Sequence, residues 1–158
     1  LNQGDGTFRP KFDWTREAED RGCEDMTPLF FDADGDGDLD LFVTSGGVEA
    51  PPAHPIYADR LYLNDGAANF RKAPAAIPGR PFSSGPAGAA DFDRDGDLDL
   101  FVGGRVVPGQ YPTAPGSRLL RNNGRGEFED ATLELAPALA ETGMVTGAIW
   151  SDADNDGW

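Results

Sequence analysis

Apolar residues in this chain come in short runs that alternate two by two and are cut apart by Gly, Pro and Asp. Leu39, Leu41 and Val43 stand two apart, as do Leu98, Leu100 and Val102, which puts each set on one face of a strand. Shorter runs at Pro28–Phe31, Ala87–Ala90 and Gly147–Trp150 precede Asp-rich turns and read as strands leading into them. Third strands are expected at Arg60–Leu63 and Arg118–Arg121, and fourth strands at Phe70 and Phe128. Between second and third strands lie long Pro-rich connections, Ser45–Asp59 and Gly103–Ser117. Ala131–Ala140 can hold a helical turn broken by Pro137, and Thr15–Glu24 is polar enough for a short helix or a loop. The Gly-rich strand ends at Val43–Gly47 and Val102–Gly104 suggest close backbone approach.

Two motifs repeat along this pattern. The first is a hairpin signature, Leu1-Asn2-Gln3-Gly4-Asp5-Gly6-Thr7-Phe8, which returns at Leu63–Phe70 and Arg121–Phe128. Asn and Gly supply the positive φ that a tight turn between antiparallel strands needs. The middle copy has Ala68 in place of the second Gly, so a different turn geometry is expected there. The second motif is Asp-x-Asp-x-Asp-Gly, beginning at Asp32, Asp91 and Asp152. Hairpins recur at 62 and 58 residues and Asp loops at 59 and 61. Two independent motifs sharing a period near 60 make a true internal repeat. Four short antiparallel strands per repeat is the content of a propeller blade. The expected fold is therefore all-β: propeller blades of four antiparallel strands with calcium-binding loops, forming an incomplete propeller. One domain is expected, with the end of one blade at 1–26, blades at 27–86 and 87–144, and the start of another at 145–158.

The Asp spacing carries the chemistry. Asp suits neither a strand nor a helix interior, and five within nine residues repel one another. A hard cation with six to eight oxygen ligands removes that objection. The side-chain ligands would be Asp32, Asp34, Asp36 and Asp40 in the first loop, with the carbonyl of Asp38. In the second they would be Asp91, Asp93, Asp95 and Asp99, with the carbonyl of Asp97. The third offers Asp152, Asp154, Asp156 and the carbonyl of Trp158, but not a ninth position. Gly at the sixth position allows the sharp turn. Calcium is the expected ion. Magnesium keeps its waters and takes fewer protein ligands, and zinc lacks ligands in a chain with one His and one Cys.

Composition changes this picture little. The net charge of −15 is extreme, yet thirteen of the 28 acidic residues sit in the three loops. Metal sites therefore account for much of the acidity. No basic patch stands out, so nucleic acid is not an expected partner. No run of 18 apolar residues exists, so no membrane span is expected. Cys23 is alone, so no disulfide forms within the chain; it is expected either as a buried apolar residue or as the partner of a Cys outside this chain. Both ends fall inside repeats, and the chain is expected to be part of a larger protein, completed by remaining propeller blades or by another chain.

The stretches DADGDGDLDLFV and DFDRDGDLDLFV, alternating with LNQGDGTF, LYLNDGAANF and LLRNNGRGEF, resemble FG-GAP/VCBS repeats. The pattern is similar to bacterial proteins with VCBS and ASPIC/UnbV-type domains, relatives of cartilage acidic protein, and to the calcium loops of the integrin α-subunit propeller. The resemblance implies a β-propeller with calcium between the first and second strands of a blade, in an exported protein: extracellular, on a cell surface or periplasmic. It also implies a binding or adhesion module. An EF-hand fits less well, because Val43 and Val102 stand where a Glu would be required.

The expected function is a calcium-stabilised module for protein or glycan interaction, not an enzyme. Metal-bound carboxylates make poor general acids, and one His and one Cys leave little for triad chemistry. The alternatives are a structural subunit of a larger assembly or the non-catalytic part of an exported enzyme. His54, Tyr57, Arg105 and Tyr111, on the long connections, are the expected contact residues, with ordinary loop packing as the competing role.

Overall fold

The computed structural model describes residues 1–10 and 18–154. Two four-stranded antiparallel sheets follow one another along the chain, each a simple meander. The first contains β1 (Glu24–Phe31), β2 (Asp40–Gly46), β3 (Arg60–Asn64) and β4 (Phe70–Lys72). The second contains β5 (Ser83–Ala90), β6 (Asp99–Val106), β7 (Arg118–Asn122) and β8 (Phe128–Asp130). Each acidic loop joins the first two strands of its sheet, and each Asn-Gly hairpin joins the last two. Their registers are equivalent: Phe31 pairs with Asp40 and Asn64 with Phe70, as Ala90 pairs with Asp99 and Asn122 with Phe128. The chain is thus all-β, and its sheets are blade-like and do not close into a barrel.

The first strand of each sheet, β1 and β5, carries a register break, before Pro28 and around Pro86. Proline has no N–H for the ladder, so a strand that contains it bulges. In the first sheet the gap is closed by a side chain, with Thr27 N–H donating to Thr44 Oγ1 at 3.0 Å.

Period-2 reasoning expected one apolar face per strand; the structure has two. Phe42, between Leu41 and Val43, is fully buried and joins Phe31, Ala33 and Leu61 against Leu100, Val102, Leu120 and Phe128 of the second sheet. Leu41 and Val43 point the other way and pack with Tyr62 and Phe70. Leu39 is 57% exposed and belongs to neither face. A blade has neighbours on both sides, so its central strand is apolar throughout. Equivalent positions serve the same face of each sheet: Leu100 and Val102 fill the junction with the preceding sheet, and their counterparts Leu41 and Val43 form a smaller cluster on the side of the first sheet turned away from the second.

The hairpin at residues 1–9 is described separately from the sheets, with Asn2 bridging Phe8. Ala18–Gly22 is a 3-10 helix; residues 15–17 of the expected helix or loop lie outside the described residues. Thr132–Leu135 is a single turn of helix, α1, and Pro137 then starts a 3-10 turn, as expected where proline pushes the residue before it out of the helical region. Gly147–Trp150 is not a strand. It runs along β5 and β6, with Val145 N–H bonded to the Gly104 carbonyl at 2.9 Å, and no second strand pairs with it among the described residues. Close approach at the Gly-rich ends is clear at Gly104, where a Cβ would lie 2.1 Å from the Gly116 carbonyl oxygen.

Candidate metal centres

Both acidic loops are wound by their own carboxylates. Asp32 accepts from Gly35 N–H at 2.8 Å and Gly37 N–H at 3.0 Å, as Asp91 does from Arg94 at 2.8 Å and Gly96 at 3.1 Å. The ninth-position carboxylates tie the loops to the sheets. Asp40 is fully buried and accepts from Ala33 N–H and Asn64 N–H, both at 2.8 Å. Asp99 is equally buried and accepts from Phe92 N–H at 3.1 Å and Asn122 N–H at 2.8 Å. Gly37 and Gly96, at the sixth position, have φ of 89° and 99°, a conformation glycine adopts without strain.

This winding gathers three carboxylates per loop. One oxygen each from Asp32, Asp34 and Asp40, and likewise from Asp91, Asp93 and Asp99, lie within 4.8 Å of one another. Burial pushes the Asp34 carboxyl above the usual range, and the charges of Asp36 and Asp32 push the same way. Burial also raises Asp40 and Asp99, against the pull of their backbone donors. One oxygen of Asp34, Oδ1, is buried with no hydrogen-bond partner. Hard oxygen donors, mutual repulsion and an orphaned acceptor are the donor set that a divalent cation satisfies. The residues present fit such an ion, and each cluster can hold one.

The remaining expected ligands are placed differently. Asp36 and Asp95 stand outside the clusters, and each turns one oxygen to a loop amide, of Asp38 and Asp97, at 2.9 Å. The side chains of Asp38 and Asp97 lie against the hairpin glycines, where a Cβ on Gly66 or Gly124 would come within 2.5 or 2.4 Å. Asp152 and Asp154 are exposed, and Asp156 and Trp158 lie outside the described residues.

Sequence reasoning treated the Asn-Gly motif as turn chemistry only. Its Asn is also an anchor of the acidic loop: besides the backbone bond to the ninth Asp, Asn64 Nδ2 donates to the Leu39 carbonyl at 3.1 Å and Asn122 Nδ2 to the Leu98 carbonyl at 3.0 Å. Asn122 reaches further. Its Nδ2 also donates to the carbonyl of Ala33, in the first acidic loop, at 2.8 Å, and Gly126 N–H donates to that same carbonyl at 2.9 Å. The hairpin of the second sheet therefore covers the acidic loop of the first. The available signal was that both motifs recur with one period.

Among the expected contact residues, Tyr57 is corrected. It is fully buried, its hydroxyl donating to the Ala50 carbonyl and accepting from the Ala50 amide, both at 2.8 Å, so it holds its connection together. His54 and Arg105 are exposed, and Tyr111 is 77% exposed. Cys23 is a free, half-buried thiol.

Tandem four-stranded blades, each headed by a carboxylate-rich loop, define a repeat protein of propeller type. The stretch from the first acidic loop to the strand after the second, residues 32–102, matches the model of the FG-GAP-like repeat and is such a repeat. No curated protein and no solved structure matches the chain. Among the described residues no helix is long and apolar enough to cross a membrane.

Proposed function

We propose that the chain is part of a calcium-stabilised β-propeller that serves as an exported interaction module. The observation that carries this is the pair of carboxylate clusters, in which three oxygens converge within 4.8 Å and one buried Asp34 oxygen has no partner. Asp32, Asp34 and Asp40 would hold one ion, and Asp91, Asp93 and Asp99 the other. Bound calcium would neutralise carboxylates that otherwise repel, so that metal-binding free energy becomes folding free energy. Millimolar calcium outside cells would load even weak sites, which supports an extracellular, cell-surface or periplasmic setting. The role is non-enzymatic, since the dense carboxylates are committed to the clusters. Protein or glycan partners would meet the exposed connections carrying His54, Arg105 and Tyr111, and further blades or another chain would cover the Leu41, Val43 and Tyr62 face.

The test is a thermal melt with excess calcium, with a chelator, and with magnesium. The midpoint is expected to fall on chelation and to return with calcium but hardly with magnesium. An unchanged midpoint would overturn the structural role of calcium.

A further inference from the structure

The junction between the two sheets contains one carboxyl outside the acidic loops. Asp59 immediately precedes β3, and its two oxygens bond to different sheets. Oδ1 accepts from Ser45 N–H of β2 at 2.8 Å, and Oδ2 meets Ser84 Oγ of β5 at 2.9 Å. The neighbouring bonds are uncharged: Ser45 Oγ donates to the Ala58 carbonyl at 2.7 Å, and Thr44 Oγ1 to the Gly85 carbonyl at 2.8 Å. At the corresponding place in the second sheet stands Ser117, whose Oγ accepts from Gly104 N–H at 3.1 Å. A carboxyl is therefore not needed to close such a corner, and its presence at Asp59 calls for another reason.

We propose that Asp59 is a proton-sensitive latch: held as a neutral acid, it locks the two sheets together, and its ionisation loosens their junction. The geometry accommodates the neutral form fully. Ser84 Oγ has a second acceptor, the Phe82 carbonyl, at 3.2 Å. A protonated Oδ2 donates to Ser84 Oγ, the serine proton turns to Phe82, and Oδ1 keeps the Ser45 amide, so no donor or acceptor is stranded. Among the described residues no ion pair includes Asp59.

The charged and titratable groups around it make no direct bond to it, and Arg118 and Arg60 act on it only from a distance. Arg60 on β3 is bonded to Asp25. Arg118 on β7 donates to the Pro78 and Arg80 carbonyls and lies over the Phe82 ring, 4.3 Å from its centroid. Lys72 on β4 is bonded to Asp20 at 2.6 Å. Tyr57 is satisfied by Ala50, and Cys23 and Arg80 stand at the cavity walls. Burial is the dominant influence and raises the Asp59 carboxyl to about 7, outweighing its hydrogen bonds and the two arginines. Two cavities touch Asp59, of about 40 and 320 Å³, and give its proton a route to water.

The sign follows from linkage. The unfolded chain ionises Asp59 near the ordinary carboxylate value, while the folded chain keeps the proton to about pH 7. Its contribution to stability is complete below the ordinary value, is lost as pH rises toward 7, and stays lost above. The experiment compares the calcium-saturated protein with Asp59→Asn, which keeps the shape and the relay but cannot ionise. The variant's melting midpoint should gain on the wild type as pH rises from 5 to 7, and the gain should then level off. Carboxyl NMR of the wild type should show Asp59 titrating near neutrality, and protection of the Ser45 amide against exchange, relative to its intrinsic rate at each pH, should fall with that titration in the wild type alone. Parallel pH profiles, or an Asp59 carboxyl that titrates below pH 5, would overturn the proposal. The NMR readout decides even if the variant fails to fold.

Discussion

The two acidic loops have nearly the same sequence and share most internal bonds, but Asp93 Oδ1 accepts from the Asp95 amide at 3.3 Å where Asp34 Oδ1 has no partner, and they sit in different surroundings. The first is roofed by the hairpin of the following sheet, which bonds twice to the Ala33 carbonyl and buries Ala33 to 1% exposure. Gly126 of that hairpin passes over Asp34, whose Oδ1 is sealed from solvent without a partner. In the second loop the corresponding Asp93 is exposed, and Phe92 is covered by a stacked Trp150 ring, 6.4 Å away, in place of a hairpin. In a repeat protein, then, a loop's chemistry is written in its own residues and its dielectric surroundings in its neighbour's. The roofed loop should have the stronger demand for a cation, because desolvated carboxylates are the costlier to leave unpaired.

The largest effect should come from removing the ninth-position carboxylates. Asp40→Ala and Asp99→Ala each strand two backbone donors, on the order of 3 kcal/mol by denaturant melts in calcium. The two costs should be similar, because each carboxylate holds the amide of one buried and one half-buried residue, Ala33 and Asn64 for Asp40 and Asn122 and Phe92 for Asp99. A much larger cost for either would mean that the two anchors are not equivalent.

Next, Asn122→Ala removes donors to two carbonyls, one in each acidic loop, and should cost about 2 kcal/mol. Asn64→Ala removes one side-chain bond and should cost about 1 kcal/mol. Gly126→Val tests the roof itself. Its φ of 70° disfavours a branched side chain, and a Cβ would press on Leu63 at 3.2 Å, so the hairpin should lift. Calcium affinity of the first loop should fall toward that of the second, read by titration with the second loop disabled.

The smallest effect concerns Arg94, which has φ of 69° where the first loop has Gly35 at 76°. A non-glycine residue there carries strain of about 1 kcal/mol. Arg94→Gly should stabilise the protein by about that amount in thermal melts, whereas Gly35→Arg should destabilise it.

Much of this was legible in the sequence. The period near 60, the strand order and the Asp and Gly positions of each loop are local patterns, and local patterns survive folding. What was hidden depends on contacts between distant residues. No difference in the Asp spacing distinguishes Asp34 from Asp93; the cover over Asp34 comes from Gly126 and Asn122, about ninety residues beyond Ala33. The two-sided burial of β2 was hidden because alternation shows one apolar face only when the other meets water. Tyr57 looked like a contact residue because its connection is polar and Pro-rich, yet its hydroxyl closes that connection on Ala50.

Calcium titration by calorimetry, on the wild type and on Asp34→Asn and Asp93→Asn, tests the central claim most directly. The account predicts two sites in the wild type. Asp34→Asn should abolish the tighter and Asp93→Asn the weaker. Absence of binding, or binding that neither substitution changes, would contradict it.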